Sequence, residues 1–190
     1  ELGGWKWTNE LVLLPADKST AFGTLWKEPS NKPFPIEELV RLSLAESDNT
    51  AHFMLLRNLE IKEVEEVYDH MGLKGFLKTG GSLSAKKYSS IFRALYSASF
   101  LSATHSQKLL SFMTQSPFSE FIQSALPPDV IFSHKIGMEK EHGVFLDSGI
   151  VYAASRPYIL TVMVKTEEKE HAKAVMKDIS EKVYGSVSEY

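Results

Sequence analysis

Apolar positions recur at helical spacing through the first two-thirds of the chain and change to strand-like runs after a Pro-Pro pair. In "PFPIEELVRLSLAES", Pro35 opens a helix, acidic residues fill its first turn, and Ile36, Leu39, Val40 and Leu44 form an apolar stripe. The polar knot Ser47-Asp48-Asn49 then interrupts the pattern, and Asp48 or Ser47 caps a second helix in which Ala51, Met54, Leu55 and Leu59 share a side. "IKEVEEVYDHMG" predicts a third helix, with Ile61, Val64, Val67, Tyr68 and Met71 inward and Gly72 as its stop. Further helices are expected from Ser84 to Tyr96, from Ser102 to Met113, and briefly after Ser116-Pro117. Upstream of them all, residues 5–26 mix aromatics with Pro15, Asp17 and Gly23, a pattern of short extended pieces and turns.

Beyond Pro127-Pro128, the segments "DVIFSHKIG", "GVFLDSGIVYAAS" and "YILTVMVK" are β-branched and aromatic. Turn signals at Glu141-His142-Gly143 and Ser155-Arg156-Pro157 separate them, so adjacent antiparallel strands are expected. A final helix aligns Ala172, Val175, Met176, Ile179 and Val183, enough to cover one face of that sheet. The pattern thus predicts an α/β fold of the α+β kind. Residues 1–127 form a mainly helical lobe, and residues 128–190 supply strands and a terminal helix. The sequence carries no internal repeat and no low-complexity linker.

Composition narrows the possibilities mainly by exclusion. With 43% hydrophobic residues in 190, the chain can bury a sizeable core. A formal net charge of -3, with its basic residues dispersed, argues against a nucleic-acid partner. No apolar run reaches the roughly 20 residues that a membrane-spanning helix needs. The chain has no cysteine, which excludes disulfides, thiolate zinc sites and a cysteine nucleophile. Its six histidines show no metal-ligand spacing, although His134 and His142 flank a turn and could meet across a hairpin. The first residue is Glu, and any targeting signal is expected to lie outside the chain.

Taken alone, S-D-N reads as a helix cap, because Ser, Asp and Asn are the preferred capping residues. Two later stretches change that. Lys135-Ile136-Gly137 stands at the end of the strand "VIFSH", and the next strand carries "DSGIVY". "ESDNTA" before an apolar helix, "SLSAKKYSSIFRALYSASFLS" before "SQKLLSFM", and "HKIG" before "GIVY" follow one another as successive landmarks. Together they resemble the penicillin-recognising serine hydrolases, and within them the class A β-lactamase-like branch.

That resemblance implies a serine acyl-enzyme acting on β-lactams or related cell-wall amides, with no cofactor or metal. Ser47 would relay a proton toward the leaving nitrogen, and Asn49 would bind the substrate's amide side chain. Lys135 would support Ser47 and attract the substrate carboxylate, Ile136 would occupy the position beside that carboxylate, and Gly137 would let the strand backbone approach the ligand. An extracytoplasmic bacterial setting follows from the same resemblance.

Three departures qualify it. Residues 1–46 contain no S-x-x-K, so the resemblance implies a catalytic domain truncated at its N-terminus, without the nucleophile helix and the first strands. Ser84-Ala85-Lys86-Lys87 does satisfy S-x-x-K, but it follows S-D-N and reads as the cap of a surface helix. "GLKGFLKTGGSL" has no acidic residue to activate a deacylating water, and Glu63, Glu65 and Glu66 lie on the solvated side of a helix. Slow deacylation is therefore expected. Lastly, Ile136 carries no hydroxyl for a carboxylate, a role that could pass to Arg156. The rival reading is a non-catalytic module that keeps the cleft to bind peptidoglycan or a protein. Tyr88, Phe92 and Tyr96 form a helical stripe read as core, and "KTGGS" follows no strand that would make it a phosphate loop.

Overall fold

The computed structural model describes residues 4–79, 83–139, 141–154 and 156–189. The chain forms two compact units, Glu1–Ser82 and Leu83–Tyr190.

In the first unit, a short strand β1 (Glu10–Val12) pairs antiparallel with β2 (Pro33–Pro35). Pro35 ends β2 and serves as the extended N-cap of α1 (Ile36–Ala45), since its fixed φ suits both. The buried face of α1 is Ile36, Leu39, Leu42 and Ala45, so the stripe lies closer to a regular i, i+3 series than the predicted Val40 and Leu44. Helix α2 (Asn49–Leu56) buries Thr50, Ala51 and Met54, whereas Leu59, predicted to join that side, is 43% exposed. Leu13, Leu25, Phe34, Leu39, Leu42, Ala51 and Met54 make the core of this unit. Full burial of a side chain such as Leu39 or Met54 contributes about 1.5–3 kcal/mol. The Arg57 guanidinium clasps buried Asp17 at 2.9 and 3.1 Å, joining the end of α2 to the turn after β1.

Helix α3 (Ile61–His70) forms where expected, and Gly72 follows it at φ 73°. Its apolar residues do not turn inward as predicted: none is buried, and Ile61 is 73% exposed. Periodicity reports a stripe on a helix but not whether anything covers it.

In the second unit, β3 (Ile131–Glu139), β4 (Val144–Tyr152) and β5 (Tyr158–Lys165) form an antiparallel sheet in that order. Helices α4 (Ala85–Tyr96) and α5 (Ala103–Met113), which the sequence grouped with the S-D-N lobe, pack on this sheet. The second compact unit accordingly begins at Leu83. Helix α6 (Lys169–Ser188) packs on the sheet together with the 3-10 turn Ile122–Ala125. Ile122, Phe121, Phe132, Ile136, Val151, Val162 and Met176 form the apolar core there. Ser116-Pro117 opens no helix, and that turn at 122–125 is the regular element following it. Among the described residues, no helix is long and apolar enough to cross a membrane. Phe92 lies in the core as its stripe predicted, while Tyr96 is 53% exposed.

Candidate active site

The S-D-N knot is built around its middle residue. Asp48 is wholly buried, and its carboxylate accepts from the amides of Ala51 (2.9 Å), Thr24 (2.7 Å) and Leu25 (2.9 Å). The first is the N-cap bond of α2, which settles the cap on Asp48. The other two bind the loop before Leu25 to the helix junction. Thr50 and Asn49 extend that seam: Thr50 Oγ1 accepts from the Ser19 amide at 2.9 Å, and the Asn49 amide donates to Phe22 O at 3.3 Å. Gly23 permits it. At φ +79°, a Cβ on Gly23 would stand 1.9 Å from Asp48 Oδ2. Sequence reasoning missed this role for Gly23, reading it only as a turn signal.

Ser47 sits between this anchor and the end of α1. The amides of Glu46 and Asp48 both donate to Leu42 O, at 3.0 and 3.2 Å, so the chain turns sharply and Ser47 adopts φ 54°. A left-handed conformation costs a residue with a Cβ roughly 1–2 kcal/mol. Ser47 and Asn49 are half-buried on either side of the buried Asp48. The arrangement fixes the backbone of Ser47 and Asn49 on either side of a carboxylate that accepts from backbone amides.

Lys135 and Gly137 lie on one face of β3, paired with Ser148 and Leu146 of β4. Ser133, on the same face, donates its hydroxyl to Leu110 O of α5 at 2.7 Å, which identifies this as the α4–α5 side. Burial lowers the Lys135 ammonium from the ordinary lysine range to about 8. Ser148 shares a hydroxyl hydrogen bond of 2.6 Å with Thr161. Ile136, read from the resemblance as a substrate-side position, instead points to the opposite face and is buried in the core with Ile122 and Met176. Alternation along a strand makes this unavoidable once Lys135 and Gly137 share the other face. A Cβ on Gly137 would meet only the Leu146 side chain, at 3.3 Å, so local packing alone does not demand glycine there.

Titration of Lys135 gives a direct check. Its folded midpoint of about 8 lies below the unfolded lysine value of about 10.4. Between those values the unfolded chain binds more protons, so this group's contribution raises stability with pH from about 8 to about 10.4. A 13Cε-labelled lysine spectrum is expected to show one resonance with a midpoint near 8, which Lys135→Met removes. A resonance titrating only near 10 would refute the lowering of this half-buried ammonium.

The remaining candidates separate clearly. Ser84 is exposed and accepts from the Lys87 amide at 3.3 Å, so it caps α4 as expected. Glu63 and Glu66 are exposed on α3, and Arg156 is exposed between β4 and β5. His134 and His142 do not meet: His134 is buried against Asp147, and His142 is exposed in the turn. Of "KTGGS", residues 80–82 lie outside the described residues, as do the side chains of Lys78 and Thr79.

The profile of the β-lactamase enzyme family matches residues 1–187. The chain belongs to that family. Solved structures agree with its fold. PBP-A is 18% identical with a TM-score of 0.82, over 97% of this chain and 73% of PBP-A. A point mutant of PBP-A, solved as an acyl-enzyme complex with penicillin G, is 19% identical with a TM-score of 0.83, over 97% and 73%. A β-lactamase from Sphaerobacter thermophilus is 19% identical with a TM-score of 0.86, over 99% of this chain and 76% of its own. No curated protein matches the sequence. Within this family the mixed α/β architecture and the penicillin-recognising resemblance both hold.

Proposed function

We propose that this chain is the S-D-N- and K-x-G-bearing part of a serine hydrolase that acts on β-lactams or related cell-wall amides and releases its acyl group slowly. The observation that carries the reading is the division of labour in the knot. Asp48 alone suffices to cap α2, yet Ser47 is also held in a costly left-handed conformation beside it.

In the proposed reaction a serine Oγ adds to the amide carbonyl and the carbon–nitrogen bond breaks. Ser47 passes the serine's proton to the leaving nitrogen, so the acyl–oxygen ester forms with charge balanced. Asn49 donates to the substrate's amide side chain. Lys135, with Gly137 beside it, draws in the substrate carboxylate. Ile136, lying in the core, has no part in substrate contact.

The attacking serine is proposed to lie outside these residues, because the chain's one S-x-x-K begins at Ser84, a helix cap. The 190-residue chain by itself is then expected to form no acyl-enzyme. Slow release follows from the segment 72–83, which has no carboxylate to activate water. A setting outside the cytoplasm belongs to the same proposal.

The test is intact mass spectrometry of the full gene product and of the 190-residue chain after incubation with a reporter penicillin. A persistent adduct on the former and none on the latter is the expected result. A stable adduct on Ser84 would overturn the placement of the nucleophile, and rapid substrate loss without an adduct would overturn slow release. Neither adduct nor turnover would favour the non-catalytic peptidoglycan- or protein-binding module.

A further inference from the structure

Directly under the candidate site's lysine, on the other face of the sheet, lies a buried hydrogen-bonded pair that the proposed reaction does not use. His134 precedes Lys135 in β3, and its Nδ1 is 2.8 Å from Asp147 Oδ1 on β4. Both side chains are essentially inaccessible, at 1% and 0% exposure. The second Asp147 oxygen accepts from the Ile122 amide at 3.1 Å, and the Ser148 amide adds a further bond. Ile122 O in turn accepts from Ser180 of α6 at 2.9 Å. One carboxylate therefore ties β3, β4, the 122–125 turn and α6 together.

The proton's position follows from what is missing around the ring. His134 Nε2 is buried with no hydrogen-bond partner among the described residues, and the ring stacks on Phe132 at 4.3 Å. An N–H at Nε2 would be a buried donor without an acceptor, whereas a bare lone pair there costs less. Nδ1 consequently carries the proton and donates to Asp147, whose carboxyl group faces three donors. Burial pushes the Asp147 carboxyl up, and the hydrogen bonds from His134 and the two amides oppose that rise. The other titratable group coupled to the carboxylate is Tyr88 of α4, held at about 12 chiefly by burial and further by Asp147's charge. The described buried residues of α6 are Ala172, Met176 and Ser180, none of them charged.

We propose that His134 and Asp147 are positioning residues for Lys135, clamping β3 to β4 from beneath so that the next side chain emerges at one height on the opposite face. Gly149, cross-strand from His134, provides the space, since a Cβ there would stand 2.6 Å from His134 Cβ. The proposal rests on Lys135 being the site's cation, but it is read out on Lys135 and its strand without any acylation assay.

The experiment compares His134→Leu, which removes the donor, with His134→Asn, whose side-chain N–H can still reach Asp147. In His134→Leu, amide exchange around Lys135 is expected to quicken about tenfold or more. The Lys135 midpoint should then rise from about 8 toward the ordinary lysine value of about 10.4. His134→Asn should restore both. An unchanged Lys135 midpoint in folded His134→Leu, or failure of His134→Asn to rescue, would overturn the proposal. If the leucine variant does not fold, the wild-type imidazole 15N spectrum still decides: in the neutral ring the proton is expected on Nδ1 with Nε2 bare, and a neutral ring protonated at Nε2 would overturn it. Failure here leaves the acyl-enzyme reading to its own mass measurement.

Discussion

Asp48→Ala is expected to destabilise the first unit by about 3–5 kcal/mol, the sum of two buried amides and one part-buried amide losing their acceptor and the cap of α2. The amides of Ala51 and Leu25 are buried, that of Thr24 is partly so, and all three converge on a side chain that is 0% exposed. Against a typical domain stability of about 5–15 kcal/mol this is a large fraction. All three tryptophans, Trp5, Trp7 and Trp26, lie in this unit, so urea unfolding followed by tryptophan emission reads it selectively. A loss under about 1 kcal/mol would mean the carboxylate is not the anchor, given that capping alone is worth about that much. Gly23→Ala supplies an independent check. Its new Cβ would occupy the place of Asp48 Oδ2 and the backbone would be strained at φ +79°, so it should reproduce the loss with the S-D-N residues themselves unsubstituted.

The second large effect is expected at Gly149. It lies in β4, the central strand of the three-stranded sheet, and a Cβ there would stand 2.4 Å from Ser133 O, 2.6 Å from His134 Cβ and 2.7 Å from Phe132 Cε2. The nearest of these is backbone, so a rotamer change cannot relieve it. Overpacking of this kind costs typically about 1–3 kcal/mol, and a backbone clash belongs at the upper end. Gly149→Ala should therefore accelerate amide exchange across the β3–β4 pairing and lower the thermal midpoint. Gly137→Ala is the internal contrast. It faces the other side, where the nearest atom is a Leu146 methyl at 3.3 Å, and it should cost less than about 1 kcal/mol. Equal losses at the two glycines would show that general strand propensity, not the packing beneath the sheet, sets the requirement.

Both effects depend on contacts that the sequence left unassigned. Asp48 was recognisable as a capping residue because Ala51 lies three positions on, within the same helix turn. Thr24 and Leu25 are more than 20 residues upstream, and no local rule joins them to Asp48. Gly149 stood out only as one of several small residues in "DSGIVY". Its partner, His134, was weighed as a metal ligand across a hairpin and is in fact a buried donor to Asp147. The hairpin register, His134 opposite Gly149 and Ile136 opposite Asp147, decides that outcome.

The sequence by itself determined the long helices and the three strands of the larger sheet, the caps of α2, α4 and α5, and the order in which S-D-N and K-x-G follow each other. These rest on local chemistry: period, capping oxygens, and Gly or Pro at turns. Tertiary structure alone decided which stripes are covered, with α1 burying Leu42 and Ala45 while α3 buries none of its residues. It also decided that Ser47 takes a left-handed turn, held by the backbone bonds to Leu42 O and the anchored Asp48. Ile136 went to the core and Lys135 to the opposite face because a strand sends successive side chains to opposite sides. Which side becomes core depends on the helices packed on each face, and those arrive from elsewhere in the chain.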